Sequence, residues 1–121
     1  MSSTRRYTLF FLFLLFFLSC EDIIERDITG DEVVLKTPSA GYATSIQEQI
    51  FWWDEIVGAT HYELMIVSPD ILAPDILLLD TVIIKNQFTW ELDTGRYEWC
   101  VKGLNSSYET ENSCRLLEIT N

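Results

Sequence analysis

Phe51-Trp52-Trp53-Asp54-Glu55-Ile56-Val57-Gly58-Ala59-Thr60-His61-Tyr62-Glu63-Leu64-Met65-Ile66 reads as two strands joined by a tight turn. Phe51 and Trp53 lie two apart and so share one face of a strand. Tyr62, Leu64 and Ile66 repeat that period on the next strand. Gly58-Ala59 between them supplies a small, permissive turn. Two aromatics facing three apolar residues across a short link predict the start of a sandwich core. By the same alternation Trp52 and Ile50 point out of it.

The alternation continues along the chain. Strands are expected at 33–35, 46–53, 61–67, 76–84, 87–92, 96–104 and 114–120. Turn chemistry separates them at Thr37-Pro38, Ser68-Pro69-Asp70, Ala73-Pro74-Asp75 and Asp93-Thr94-Gly95. Residues 39–44 and the polar run 105–112 read as loops. No helical period appears after the N-terminal segment. Seven strands with a turn signal every 8–12 residues predict an all-β, two-layer antiparallel sandwich over residues 32–121. Its expected core is Val34, Phe51, Trp53, Tyr62, Leu64, Ile66, Phe88, Trp90, Leu92, Tyr97, Trp99, Val101, Leu117 and Ile119. The run Ile76 to Ile84 is apolar on both faces, and a break near Asp80-Thr81 is expected.

The first residues have a different character. Arg5 and Arg6 precede ten uninterrupted Leu and Phe residues, Leu9 to Leu18. Ten helical residues span about 15 Å, roughly half of a bilayer's hydrocarbon core. A basic start, a short apolar centre and a small residue before a cut make residues 1–19 a secretory signal peptide. Cys20 would then become the first residue. The stretch Cys20 to Asp31 is polar and acidic and reads as a tether, interrupted by Ile23 and Ile24.

The chain carries 8 Lys or Arg against 19 Asp or Glu, a formal charge of −11. Loss of residues 1–19 removes two arginines and no acid, which leaves six basic residues and a charge of −13. A surface this acidic repels phosphate backbones, so nucleic acid is not an expected partner.

Two cysteines besides Cys20 make an even pair in an exported chain. Cys100 and Cys114 alternate with the apolar faces of the last two strands and so are expected to point outward. Those strands are joined by one loop and should be neighbours, so a cross-strand disulfide is the favoured expectation. Two free thiols remain the alternative. One histidine and two cysteines are too few soft ligands for a metal site. No phosphate-binding glycine pattern and no paired-carboxylate motif appears, so neither cofactor nor catalytic residue is expected. Two features could bind a partner. Trp52, with Ile50, could stack on a sugar ring or anchor a protein. The apolar run 76–84, if it lies at a sheet edge, could pair with another strand.

Three resemblances add to this reading. Phe17-Leu18-Ser19-Cys20 resembles the lipobox of bacterial lipoproteins, which implies lipid attachment at Cys20; an ordinary signal with a coincidental cysteine is the alternative. Glu21-Asp22 is similar to the surface-export signal of Bacteroidota lipoproteins, which implies an outer-membrane protein displayed at the cell surface. Trp53-Asp54-x-Ile56-x-Gly58-Ala59-x-x-Tyr62-x-Leu64-x-Ile66 and Leu92-Asp93-Thr94-Gly95-Arg96-Tyr97-x-Trp99-x-Val101-x-Gly103-x-Asn105 resemble the signatures of fibronectin type III-like domains. That likeness implies a seven-stranded fibronectin type III/immunoglobulin-like sandwich, with Tyr97 bonding back to the corner before its strand. Such domains in Bacteroidota lipoproteins accompany glycan-uptake machinery. The implied partners are a membrane, through the lipid anchor, a protein at the outer membrane, and a glycan. Asp80-Thr81-Val82 also resembles the O-glycosylation sequon of exported proteins of that group.

Overall fold

The computed structural model describes residues 25–121. The expected signal peptide 1–19, the expected lipid attachment at Cys20 and the residues up to Ile24 lie outside them. Eight strands follow in order. They are β1 (Leu35–Thr37), β2 (Tyr42–Thr44), β3 (Glu48–Trp53), β4 (His61–Ser68), β5 (Ile76–Ile83), β6 (Gln87–Glu91), β7 (Gly95–Leu104) and β8 (Ser113–Ile119). They form a three-stranded sheet, β1-β3-β6, facing a five-stranded sheet, β2-β8-β7-β4-β5. This is the expected sandwich, with one strand more than the seven read from the pattern.

The added strand is β2, in the stretch expected to be loop. Tyr42, Ala43 and Thr44 run parallel to Leu117, Glu118 and Ile119 of β8. One pair of strands is therefore parallel in an otherwise antiparallel fold. Gly41 turns the chain into β2 with a φ of +67°, which costs a residue without Cβ little.

The core follows the alternation of β3. Gln49, Phe51 and Trp53 are buried while Glu48, Ile50 and Trp52 are exposed. Phe51 meets Trp99 of the facing sheet edge-on at 5.1 Å between ring centroids, and Trp53 meets Tyr62 in the same manner at 5.7 Å. Edge-to-face pairs add about 0.5–1.5 kcal/mol to what burial alone contributes. Leu64, Ile66, Leu92, Val101, Leu117 and Ile119 complete the expected interior. Among the described residues the indole N–H groups of Trp53 and Trp99 find no hydrogen-bond partner. The apolar surface of each ring outweighs that cost of about 1–3 kcal/mol.

Two expected core residues are displaced. Val34 points out, and Val33 and Leu35 are buried in its place. Leu35 lies opposite Trp53, so the inner face of this segment carries odd-numbered residues. Trp90 is inward in register, opposite Gln49, yet 37% exposed because β6 is an edge strand. It stacks on the half-buried Phe88 at 5.9 Å.

Part of the presumed tether belongs to the domain. Ile28 is wholly buried. The Thr29 hydroxyl and backbone N–H both donate to Asp27 Oδ1, and these bonds, the hydroxyl's foremost, lower the Asp27 pKa. Asp31 N–H closes a turn on the Ile28 carbonyl. An isolated isoleucine in an acidic stretch carries no period, so its burial was invisible in the pattern.

The apolar run after Pro74 is one strand, unbroken at Asp80-Thr81. The irregularity sits earlier. Ile66 pairs with Leu79 and Val67 with Leu77, so Leu78 is an extra residue. A bulge of this kind turns two consecutive side chains toward one face. Leu78 and Leu79 accordingly both pack against the core, which explains why the run looked apolar on both faces.

Candidate functional site

The outer face of the three-stranded sheet carries the predicted binding pair. Trp52 lies between Thr37 of β1 and Gln87 of β6, and Ile50 lies opposite Thr89. Trp52 is 42% exposed and Ile50 about half exposed. Among the described residues the partly exposed ring lies beside the aliphatic Ile50 and the neighbouring Thr37 and Gln87 side chains. The Thr37 hydroxyl donates to the Ile50 carbonyl, which holds β1 against β3 at this point. Lys36 and Asp54 form an ion pair at 3.4 Å on the same side.

The second surface is the free edge of β5, the outermost strand of its sheet. Ile76, Leu77 and Val82 are exposed along it. One end of its outer side is covered by described residues. The loop after β4 folds back there, with the Ile71 N–H donating to Glu98 Oε1 at 2.7 Å, and Val67 beneath is buried. Asp70 Oδ1 accepts from the backbone N–H groups of Leu72 and Ala73, which shapes the loop tip. Leu72 at that tip is 94% exposed. Thr81 sits opposite the buried Leu64. The threonine of the glycosylation-like sequence thus faces the interior side of the edge and is half buried.

Cys100 and Cys114 are directly opposite in the β7–β8 register and form a disulfide, with Cα atoms 4.1 Å apart. Cys100 is nonetheless buried although it points away from the core. It lies on the central strand of its sheet, flanked by Met65 on β4 and Cys114 on β8. Cys114 itself is exposed.

Other single residues resolve into structure. His61 opens β4 on the surface, its Nδ1 2.9 Å from the Thr60 hydroxyl. Among the described residues no group of three or more His, Cys, Asp or Glu side chains is placed to hold a metal ion. The Tyr97 hydroxyl donates to the Asp93 carbonyl at 2.7 Å, the expected corner bond. Burial, and then the nearby Asp93 carboxylate, raise the Tyr97 pKa.

A junction that the pattern did not reveal involves Asn105. Its Nδ2 donates to the carbonyls of Arg26 and Gly58, and its Oδ1 accepts from the N–H groups of Ser107 and Tyr108. The Ser106 hydroxyl donates to Glu25 Oε1 at 2.8 Å. One side chain thereby ties the N-terminal segment to the β3–β4 turn and to the β7–β8 loop. Asn105 ends the stretch that resembles the fibronectin type III signature, but its partners lie 79 and 47 residues away, so local pattern assigns it no role.

Among the described residues no helix is long and apolar enough to cross a membrane. No protein-family model matches the chain, and no curated protein matches it. Solved structures do. The fn3 domain of the human collagen alpha-1(XX) chain superimposes with a TM-score of 0.56 at 13% identity, covering 84% of this chain and 93% of that one. The structure of FN3tt mut does so with a TM-score of 0.50 at 12% identity, covering 71% and 88%. Likeness at such low identity establishes the fold: residues 25–121 make a fibronectin type III-like β-sandwich.

Proposed function

We propose that this chain is a bacterial outer-membrane lipoprotein, anchored through Cys20 and displayed at the cell surface. Its sandwich works as a non-catalytic interaction or accessory module beside glycan-uptake machinery. The single observation that carries the interaction role is the β5 edge, which has exposed apolar side chains and, among the described residues, no strand paired on its outer side. Such an edge is a template for strand addition by a partner. The partner is a protein that supplies its own strand. Whole-cell cross-linking followed by identification of adducts tests this reading. The expected result is a heterologous adduct lost on Val82→Lys. Recovery of monomer alone would overturn it.

A second reading is a small glycan-binding surface protein. It is favoured by the partly exposed indole of Trp52 beside Ile50, a geometry suited to stacking on a sugar ring. Glycan-array binding abolished by Trp52→Ala supports it, and binding unchanged in that variant removes it.

A further inference from the structure

We infer that the pole of the sandwich carrying Val57 and Ile84 rests on the lipid headgroups of the membrane that holds the anchor. The opposite pole, tipped by Leu72, is turned away. The inference depends on lipid attachment at Cys20 and adds to it an orientation and a lipid-contacting surface.

The argument begins with where the ordered chain is fixed. Glu25 accepts a hydrogen bond from Ser106, and the Arg26 carbonyl accepts one from Asn105. Ile28 is buried, and Gly58 packs against Arg26 and Ile28. From Glu25 onward the chain is therefore held at one pole. Four residues separate Cys20 from Glu25. Those five links reach at most about 18 Å when extended. The ten residues of β7 alone run about 33 Å from one pole to the other. A lipid on Cys20 can therefore bring only the near pole to the bilayer.

That pole has a surface suited to the contact. Val57, at the tip of the β3–β4 turn, and Ile84, in the β5–β6 turn, are each 74% exposed. The two turns adjoin: Asn86 Nδ2 donates to the Trp53 carbonyl, and Glu55 shares a hollow with Ile84, Lys85 and Asn86. Arg26 and Lys85 stand on the same pole, and their aliphatic stems can lie along the interface with the charges in water. Glu25, Asp27 and Glu55 stand there too, so charge gives no net attraction to anionic lipid. The contact is apolar and is enforced by the short link to the anchor.

The test uses the lipidated full chain in zwitterionic nanodiscs doped with a gadolinium-chelating headgroup. Broadening of amide signals is expected at Val57, Gly58, Ile84 and Lys85, with none at Leu72 or Asn121. The paired variant Val57→Asp/Ile84→Asp, at exposed positions, is expected to lose the broadening while palmitate incorporation persists. A flexible Gly-Ser spacer of about ten residues between Ile24 and Glu25 is expected to reduce it likewise. Palmitate incorporation with broadening at Leu72, or broadening indifferent to both changes, would overturn the orientation alone. Palmitate labelling unchanged by Cys20→Ala would remove the anchor, and the orientation with it.

Discussion

Gly58 and Ile28 stand so close that a Cβ on the glycine would lie 3.1 Å from Ile28 Cγ2 and 2.8 Å from Arg26 Cδ. Gly58 also has a φ of +95°, a conformation that side chains with a Cβ adopt only under strain. The two constraints act together, since a shift that relieves one contact must carry the turn with it. Gly58→Ala is expected to destabilise the domain by about 1–3 kcal/mol. Urea unfolding measures this. A loss below about 0.5 kcal/mol would mean that the N-terminal segment gives way freely.

Ile28 itself supplies the next expectation. It is wholly buried, so Ile28→Ala should cost about 2–5 kcal/mol. A domain begun at Glu32 should unfold at correspondingly lower urea. Equal midpoints for the chains begun at Glu25 and at Glu32 would show that the segment adds nothing.

Val33 and Val34 give a paired test of register. Val33 is buried and Val34 half exposed. Val33→Ala is expected to cost about 2 kcal/mol, and Val34→Ala to stay within about 0.5 kcal/mol of wild type. The reverse order would put the segment one residue out of register.

The Cys100–Cys114 bond closes a loop with a sequence separation of 14. In the chain-entropy model a closure of this length contributes about 3 kcal/mol. Cys100→Ala/Cys114→Ala should therefore lower Tm by on the order of 10–20 °C for a domain of this size. Calorimetry of the oxidised protein and the double variant decides it.

Tyr97 carries the pH-dependent expectation. Its folded-state pKa is raised above the ordinary value of 10.0 by burial and by Asp93. The folded state therefore holds the phenolic proton more firmly than the unfolded state does. The resulting stability is fully present below pH 10 and is lost as pH rises through the folded value. Tyr97→Phe should cost about 0.5–1.5 kcal/mol at neutral pH, from the lost bond to the Asp93 carbonyl. It should also flatten the alkaline fall in stability. Parallel curves for the two proteins above pH 10 would contradict this origin.

The inner faces of β3, β4, β7 and β8 were legible because each alternates over several residues and buries one side. β2 was not, because three residues flanked by loop carry too short a period to register. Its partner is β8, far along the sequence, and parallel pairing leaves no turn between the strands to signal it. Trp90 shows a different limit. Its face was read correctly, but alternation gives direction and not depth, and an edge strand leaves inward side chains partly in water. Among the candidate binding residues, Trp52 and Ile50 could be read by the same parity. The Asn105 junction could not, because its partners Arg26 and Gly58 are 79 and 47 residues away.

The parallel pairing of β2 with β8 has a mechanical corollary. The chain enters at one pole and leaves, beyond Ile119, at the other. A pull between those ends would draw β2 and β8 in opposite directions along their common axis. Their hydrogen bonds lie across that axis and would be loaded in shear, all together and not one after another as in an unzipping hairpin. A domain tugged between a fixed base and a moving load would resist with β2 and the last strand clasped side by side.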